Sequence, residues 1–271
     1  GASSAMAVAA LAVLVVIGAA LVALVPRAFE AGPGASNPKT VDELIELQLR
    51  AWAGETELLD EVYAPEGVHT ATFYDRTTEY VGPDEIKQVA GAGGIELIGP
   101  RIDIPADEGE WRWAGFGSLG GGTACLFRAV DGQLVRHDCL LPEMSSDARA
   151  PVGLADAEAS AAIDEVYERL NGSWGRGTSV ERLAEVYAPD AVHTARYLNR
   201  TITYTGLEEI LRVAGSGSGA FTQIGERVDF EAPKGELAWA EVSSTAGGSV
   251  CLYRAVDGII TRHDCVLPIR G

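Results

Sequence analysis

Basic side chains, sulfur-containing residues and histidines are all scarce in this chain, and each scarcity excludes something. Lysine and arginine number 21 against 39 aspartates and glutamates, for a formal net charge of −18 and a pI near 4.6. A surface of that sign repels nucleic-acid phosphates and anionic lipid headgroups, so neither is expected as a partner. The four cysteines include no Cys-x-x-Cys pair, the spacing common to zinc ribbons. No lipobox cysteine follows the apolar amino-terminal stretch, no small-residue cleavage site stands out after it, and no basic residue precedes Ala5.

What is present is present twice. Cys125 to Cys139 reads CLFRAVDGQLVRHDC, and Cys251 to Cys265 reads CLYRAVDGIITRHDC. Upstream, Glu61 to Ala71 (EVYAPEGVHTA) recurs as Glu185 to Ala195 (EVYAPDAVHTA). Aligned without gaps, 61–92 against 185–216 and 98–142 against 224–268 share 43 of 77 positions. Two copies of about 100 residues each are expected to be tandem globular domains and not a solenoid. The expected organisation is an apolar helix over 1–27, a linker over 28–40, the first repeat over 41–142, a second linker over 143–162, and the second repeat over 163–271.

Ala5 to Val25 holds 21 residues without a charge, about 31 Å as a helix, enough to cross a bilayer. A membrane-spanning helix is expected there, the alternatives being a retained signal peptide or a buried helix. Arg27 and Lys39 would favour a cytoplasmic location for the following domains by the positive-inside rule. The cysteines favour the opposite side. We give them precedence, since a basic leader clipped before Gly1 would explain both the missing Met and the missing basic residues.

Asp131-Gly132 and Asp257-Gly258 between β-favouring runs are strong hairpin signals. With a three-residue loop, residues whose numbers sum to 264 lie opposite one another. That pairs Cys125 with Cys139 and, in the second copy, Cys251 with Cys265, within disulfide range. Disulfides behind an export segment are the expectation. Four buried thiols or a zinc site are the alternatives.

The order of elements in each copy reads helix, helix, short strand, helix, then four strands, an α+β pattern. Helices are expected over Val41–Trp52, Thr56–Tyr63 and Pro83–Ala90, and strands near 95–104, 110–119, 123–130 and 133–141. Val186 to His193 followed by Tyr204-Thr-Gly-Leu-Glu-Glu-Ile210 resembles the SnoaL-like branch of the nuclear transport factor 2-like superfamily. Val62 to His69 and Tyr80 to Ile86 repeat the pattern. The resemblance implies a curved antiparallel sheet wrapped on helices into a cone with a pocket. It also implies pairing through sheet faces, which the two copies here could do within one chain.

That family places a carboxylate or histidine on the concave face as acid or base, making His137-Asp138 and His263-Asp264 candidates. Strand alternation sends the two side chains of each pair to opposite faces, so they cannot act as a dyad. His137 should share its face with the cysteine pair and Phe127, and Asp138 with Arg128 and Arg136. The expectation is a histidine packed beside a disulfide and an Asp–Arg ladder on the outer or inter-domain face. His69 and His193 follow the Ala-Pro helix stop, where packing is again favoured over a role as base. A metal site joining His69 and His137 would need a third ligand that the sequence does not single out, so no metal and no cofactor are expected.

The copies diverge at Phe73-Tyr74-Asp75 (Tyr197-Leu198-Asn199) and at Trp111 (Leu237), while Trp52/Trp174 and Trp113/Trp239 persist and read as core. Gly115 to Gly120 fits G-x-G-x-x-G, but it lies on an expected strand and its twin lacks the glycines, so it is not a nucleotide loop. Asn171 and Asn199 begin N-glycosylation sequons. The leading expectation is a non-catalytic, membrane-anchored extracytoplasmic subunit of an envelope or surface assembly, its partners other subunits or further copies of itself. A pilin-like filament subunit is one alternative, and a SnoaL-like enzyme or binder of a small hydrophobic ligand is another.

Overall fold

In the computed structural model, residues 40–73, 76–90, 96–119, 121–141, 151–216 and 222–269 are described. The expected apolar helix, the first linker up to Lys39 and residues 143–150 of the second linker lie outside them. Among the described residues no helix is long and apolar enough to cross a membrane.

The first module runs α1 (Val41–Trp52), α2 (Leu59–Val62), β1 (Tyr63–Phe73), β2 (Arg76–Val81), α3 (Gly82–Ile86), β3 (Ile102–Ile104), β4 (Glu110–Gly117), β5 (Thr123–Val130) and β6 (Gln133–Leu141). The second repeats it as α4 (Ala157–Ser173), α5 (Val180–Ala184), β7 (Tyr187–Arg196), β8 (Thr201–Thr205), α6 (Leu207–Ala214), β9 (Val228–Phe230), β10 (Glu236–Ser243), β11 (Ser249–Val256) and β12 (Ile259–Val266). Each module is therefore an α+β unit of helices and one six-stranded sheet, ordered β2-β1-β6-β5-β4-β3 and β8-β7-β12-β11-β10-β9.

Local chemistry sets the helix starts. Thr40 accepts a hydrogen bond from the backbone N–H of Glu43 at 3.1 Å, and Asp156 accepts from Ala159 at 2.9 Å, so α1 and α4 each begin on a side-chain cap. Two differences from the sequence expectation matter for the site. The helix expected to reach Tyr63 ends at Val62, and a strand takes over at Tyr63 and runs through Pro65 to Phe73. The polar segment Arg76–Val81 then pairs with it as an edge strand that the sequence reading lacks. In consequence β1 lies parallel to β6, placing His69 opposite His137 and Ala71 opposite Cys139. The second module does the same, with His193 opposite His263.

Each sheet is buried on both faces, which is why β5 and β11 are apolar nearly throughout. One face of the first sheet packs Trp113, Cys125, Phe127 and Cys139 against Leu44, Ala51 and Trp52 of α1. The other face sends Ile104, Ala114, Phe116, Ala124 and Leu126 into a shared core with Phe230, Ala238, Ala240, Val250 and Leu252 of the second sheet. The two modules are thus joined sheet to sheet. Burying those side chains contributes on the order of 1.5–3 kcal/mol for each large one.

Glycines let the sheets approach. A β-carbon on Gly122 would lie 2.4 Å from the Phe230 ring, and one on Gly248 would lie 2.5 Å from Ile104. Gly122 and Gly248 hold matching positions in the repeat, as do Ile104 and Phe230, so the two contacts exchange roles across the interface.

Candidate functional site

Both cysteine pairs are disulfides, Cys125–Cys139 and Cys251–Cys265, each with Cα atoms 4.1 Å apart. The hairpin that aligns them is not the three-residue loop expected. Asp131 and Gly132 both have positive φ (51° and 79°), as a two-residue type I′ turn requires. Val130 pairs with Gln133, and a register shift between Arg128 and Ala129 restores the opposition of Cys125 and Cys139. Asp257, Gly258 and the shift beside Arg254 repeat this device.

Beside each disulfide sits a histidine whose two ring nitrogens are both engaged. The Tyr63 hydroxyl accepts from the Trp52 indole N–H at 3.3 Å and lies 2.7 Å from His137 Nδ1. That hydroxyl can donate to Nδ1 or accept from it, and the other ring nitrogen, Nε2, faces Cys139 Sγ at 3.0 Å. The His137 ring stacks on Phe127 at 4.3 Å between centroids. His69 donates from Nδ1 to the His137 carbonyl oxygen at 3.1 Å and stacks on Tyr80.

The second module reproduces every element. The Trp174 indole N–H reaches Tyr187 Oη at 3.0 Å, and that hydroxyl lies 3.0 Å from His263 Nδ1. Cys265 Sγ is 3.0 Å from His263 Nε2, and His193 Nδ1 donates to the His263 carbonyl at 2.8 Å. Burial disfavours the charged imidazolium in all four rings. It pushes His69 and His193 down to about 4 and holds His137 and His263 well below the usual histidine range, each of the latter lowered further by its neighbouring histidine.

As the alternation implies, Asp138 faces the other way. Its carboxylate accepts two bonds from Arg136 at 2.8 Å and one from the Thr70 hydroxyl at 2.5 Å. Asp264 is held likewise by Arg262 at 2.8 and 2.9 Å. The Arg136–Asp138 pair, with Arg112 and Arg128, borders a cleft of about 400 Å³ that Leu198, Asn199 and Gly248 of the second module close from the far side. Arg112 and Arg128 both bind Glu110, whose carboxyl they hold down to about 2 against the opposing effect of burial.

The second module also differs from the first. Glu241, at the position of Gly115, is buried and accepts hydroxyl hydrogens from Tyr167 and Tyr253, each at 2.6 Å. Burial raises its carboxyl above the usual range. Its cross-strand partner Cys251 lies in the wall of a cavity of about 560 Å³, lined also by Trp174, Tyr197, Ser244, Cys265, His193 and His263.

The histidines thus come together in pairs, His69 with His137 and His193 with His263. A relationship that sequence reasoning missed accompanies them. One ring nitrogen of each histidine and the sulfur of Cys139 or Cys265 lie within 4.8 Å of one another, so a third potential ligand exists in each module. The signal was the recurrence of every histidine and every cysteine in both copies, legible as a cluster only once β1 is known to run parallel to β6. Gly115 to Gly117 lie in β4, away from any phosphate-binding turn. Asn171 is exposed on α4, with the hydroxyl of its sequon partner Ser173 buried and donating to Leu170 O at 2.8 Å. Asn199 is exposed in the bend before β8.

No protein-family model matches the sequence, and no curated protein matches it. Solved structures do. A SnoaL-like family protein from Agrobacterium tumefaciens is 11% identical, covering 40% of this chain and 97% of its own, with a TM-score of 0.31. An NTF-2 like protein of unknown function from Silicibacter pomeroyi is 12% identical over 41% of this chain and 98% of its own, with a TM-score of 0.34. A cystatin-like fold protein from Burkholderia xenovorans is 10% identical over 44% of this chain and 99% of its own, with a TM-score of 0.33.

Proposed function

We propose that this chain is a non-catalytic, extracytoplasmic subunit of an envelope or surface assembly, held at the membrane through residues 5–25, with other subunits or further copies of itself as partners. The observation that carries the non-catalytic part is the engagement of the histidines. In both modules the ring beside the disulfide has each nitrogen in a contact, and its burial opposes the charge change that acid–base catalysis uses. Two divergent modules would not be expected to keep identical networks for a reaction while changing what surrounds them, as Gly115 to Glu241 and Phe127 to Tyr253 do. Identical networks are what a shared packing solution requires.

The extracytoplasmic part rests on the disulfides, which form and persist in oxidising compartments. The membrane part rests on the uncharged run from Ala5 to Val25. A second reading, a binder of a small ligand, is favoured by the cavity of about 560 Å³ in the second module, which is within the size range of small-molecule sites.

The test is a topology experiment in the native host. The chain should stay with membranes through alkaline carbonate washing, and protease added to cells whose outer envelope has been opened but whose inner membrane is intact should digest residues 41–271. Release by carbonate, or complete protection from protease in such cells, contradicts the proposal.

A further inference from the structure

All four histidines and all four cysteines of the chain fall into two equivalent sets of two and two. In the second module His193, His263 and Cys265 present ring nitrogens and sulfur within 4.8 Å of one another, and Cys251 is bonded to that sulfur. The same four residues line the cavity of about 560 Å³, which gives a reductant and an ion a path to them.

The nitrogens are already oriented as ligands need to be. His193 spends its Nδ1 hydrogen on the His263 carbonyl, which leaves the lone pair on Nε2, the outer-shell arrangement that metal-bound histidines use. His263 Nδ1 is held by the Tyr187 hydroxyl, which can donate or accept and so serves either tautomer. What keeps the set from binding an ion is the S–S bond, since the sulfur ligand is the thiolate.

We propose that the second module carries a redox-gated metal site, in which opening the Cys251–Cys265 disulfide lets Cys251, Cys265, His193 and His263 hold one zinc-class divalent ion at the wall of the cavity. The reductant is a dithiol. It delivers two electrons and two protons to the S–S bond and leaves as its own disulfide, and each thiol formed then loses its proton on binding the ion. Two sulfurs and two imidazoles make the tetrahedral donor set that zinc favours. Such a site places sulfur and nitrogen about 3.5 Å apart. His263 Nε2 stands 3.0 Å from Cys265 Sγ, so the pair must open by about half an ångström, within the rotation of a freed thiol. His69, His137, Cys125 and Cys139 repeat the set in the first module.

The test uses the full chain, reduced with a phosphine that is then removed, kept free of oxygen and titrated with Co²⁺. The reduced protein should develop the visible bands of tetrahedral cobalt and a sulfur-to-metal charge-transfer band, and the oxidised protein should develop neither. His193→Gln should lower the Co²⁺ bound by one ion per chain. Absence of the bands after reduction, equal uptake in both redox forms, or an unchanged count in His193→Gln overturns the proposal. Should that variant not fold, the unaltered reduced protein decides the matter. Zn²⁺ should slow alkylation of Cys251 and Cys265 at least tenfold, and an unchanged rate at both overturns the site.

Discussion

Thr77 and Thr201 hold matching places in the two repeats, and their hydroxyls meet 3.3 Å apart across the boundary between the modules. Two equivalent residues can touch in this way only near an axis that exchanges the modules. The reciprocal contacts of Gly122 with Phe230 and of Gly248 with Ile104 have the same origin. The chain contains, in one polypeptide, the kind of isologous pairing that separate subunits usually supply.

That relationship gives a direct test of the pairing. In the double variant Thr77→Cys, Thr201→Cys the new sulfurs should join under mild oxidation, lowering the intact mass by two hydrogens with no change in oligomeric state. Two thiols that stay free after oxidation contradict the sheet-to-sheet arrangement.

The glycines should be intolerant for the same reason. Gly122→Ala forces a β-carbon into Phe230 at a φ of +96°, and Gly248→Ala meets Ile104 at a φ of +111°. Overpacking costs about 1–3 kcal/mol and left-handed backbone roughly 1–2 kcal/mol more. Gly172→Ala, inside α4 with open space around it, should instead be neutral or stabilising by up to about 1 kcal/mol. Urea unfolding of the three variants measures all of this, and equal costs at the three positions would argue against the interface.

Histidine burial predicts a pH dependence with a definite sign. His69 and His193 bind protons near pH 4 when folded but near the ordinary 6.5 when unfolded. Between those values the unfolded chain binds more protons, so stability is complete above about pH 6.5 and falls as the pH drops, by up to ~1.4 kcal/mol per pH unit for each such histidine. Glu241 and Asp264, raised by burial, act in the opposite direction at lower pH and blunt the loss there. Urea midpoints from pH 8 to pH 5 should be flat at first and then decline. A profile that is flat throughout contradicts neutral, buried histidines.

Each disulfide spans a sequence separation of 14. In the chain-entropy picture, a loop of that size contributes about 3 kcal/mol. Replacing Cys125 and Cys139 together by serine should lower the unfolding free energy by about that amount while leaving the second module folded, read by urea unfolding and by the near-ultraviolet signal of Trp239. A loss far above this range would mean that the hairpin register itself depends on the bond.

Much of this was legible in the sequence, for physical reasons that also mark where reading fails. Cys125 and Cys139 could be paired because hairpin register is local, set by Asp131-Gly132 and the alternation of side chains. The turn length was misjudged by one residue, and the register shift beside Arg128 compensated. The opposite faces of His137 and Asp138 followed from the same alternation. Tyr63 was read as the last residue of a helix because the apolar spacing before Pro65 runs on to it, whereas pairing with β6, some 70 residues away, makes it the first residue of a strand. Arg76–Val81 was missed because a polar edge strand carries little hydrophobic signal. The approach of His69 to His137 and Cys139 depends on that parallel pairing, so the cluster could not be found from spacing alone.

The central claim is that this chain works as a part of something larger. The measurement that tests it most directly is the mass of the native particle, extracted in mild detergent from its host and sized by light scattering after gel filtration. The account predicts a particle several times the 28.5 kDa of one chain, containing other subunits or further copies of it. A single chain in its detergent belt would contradict it and return the weight to a solitary binder built around the cavity of the second module.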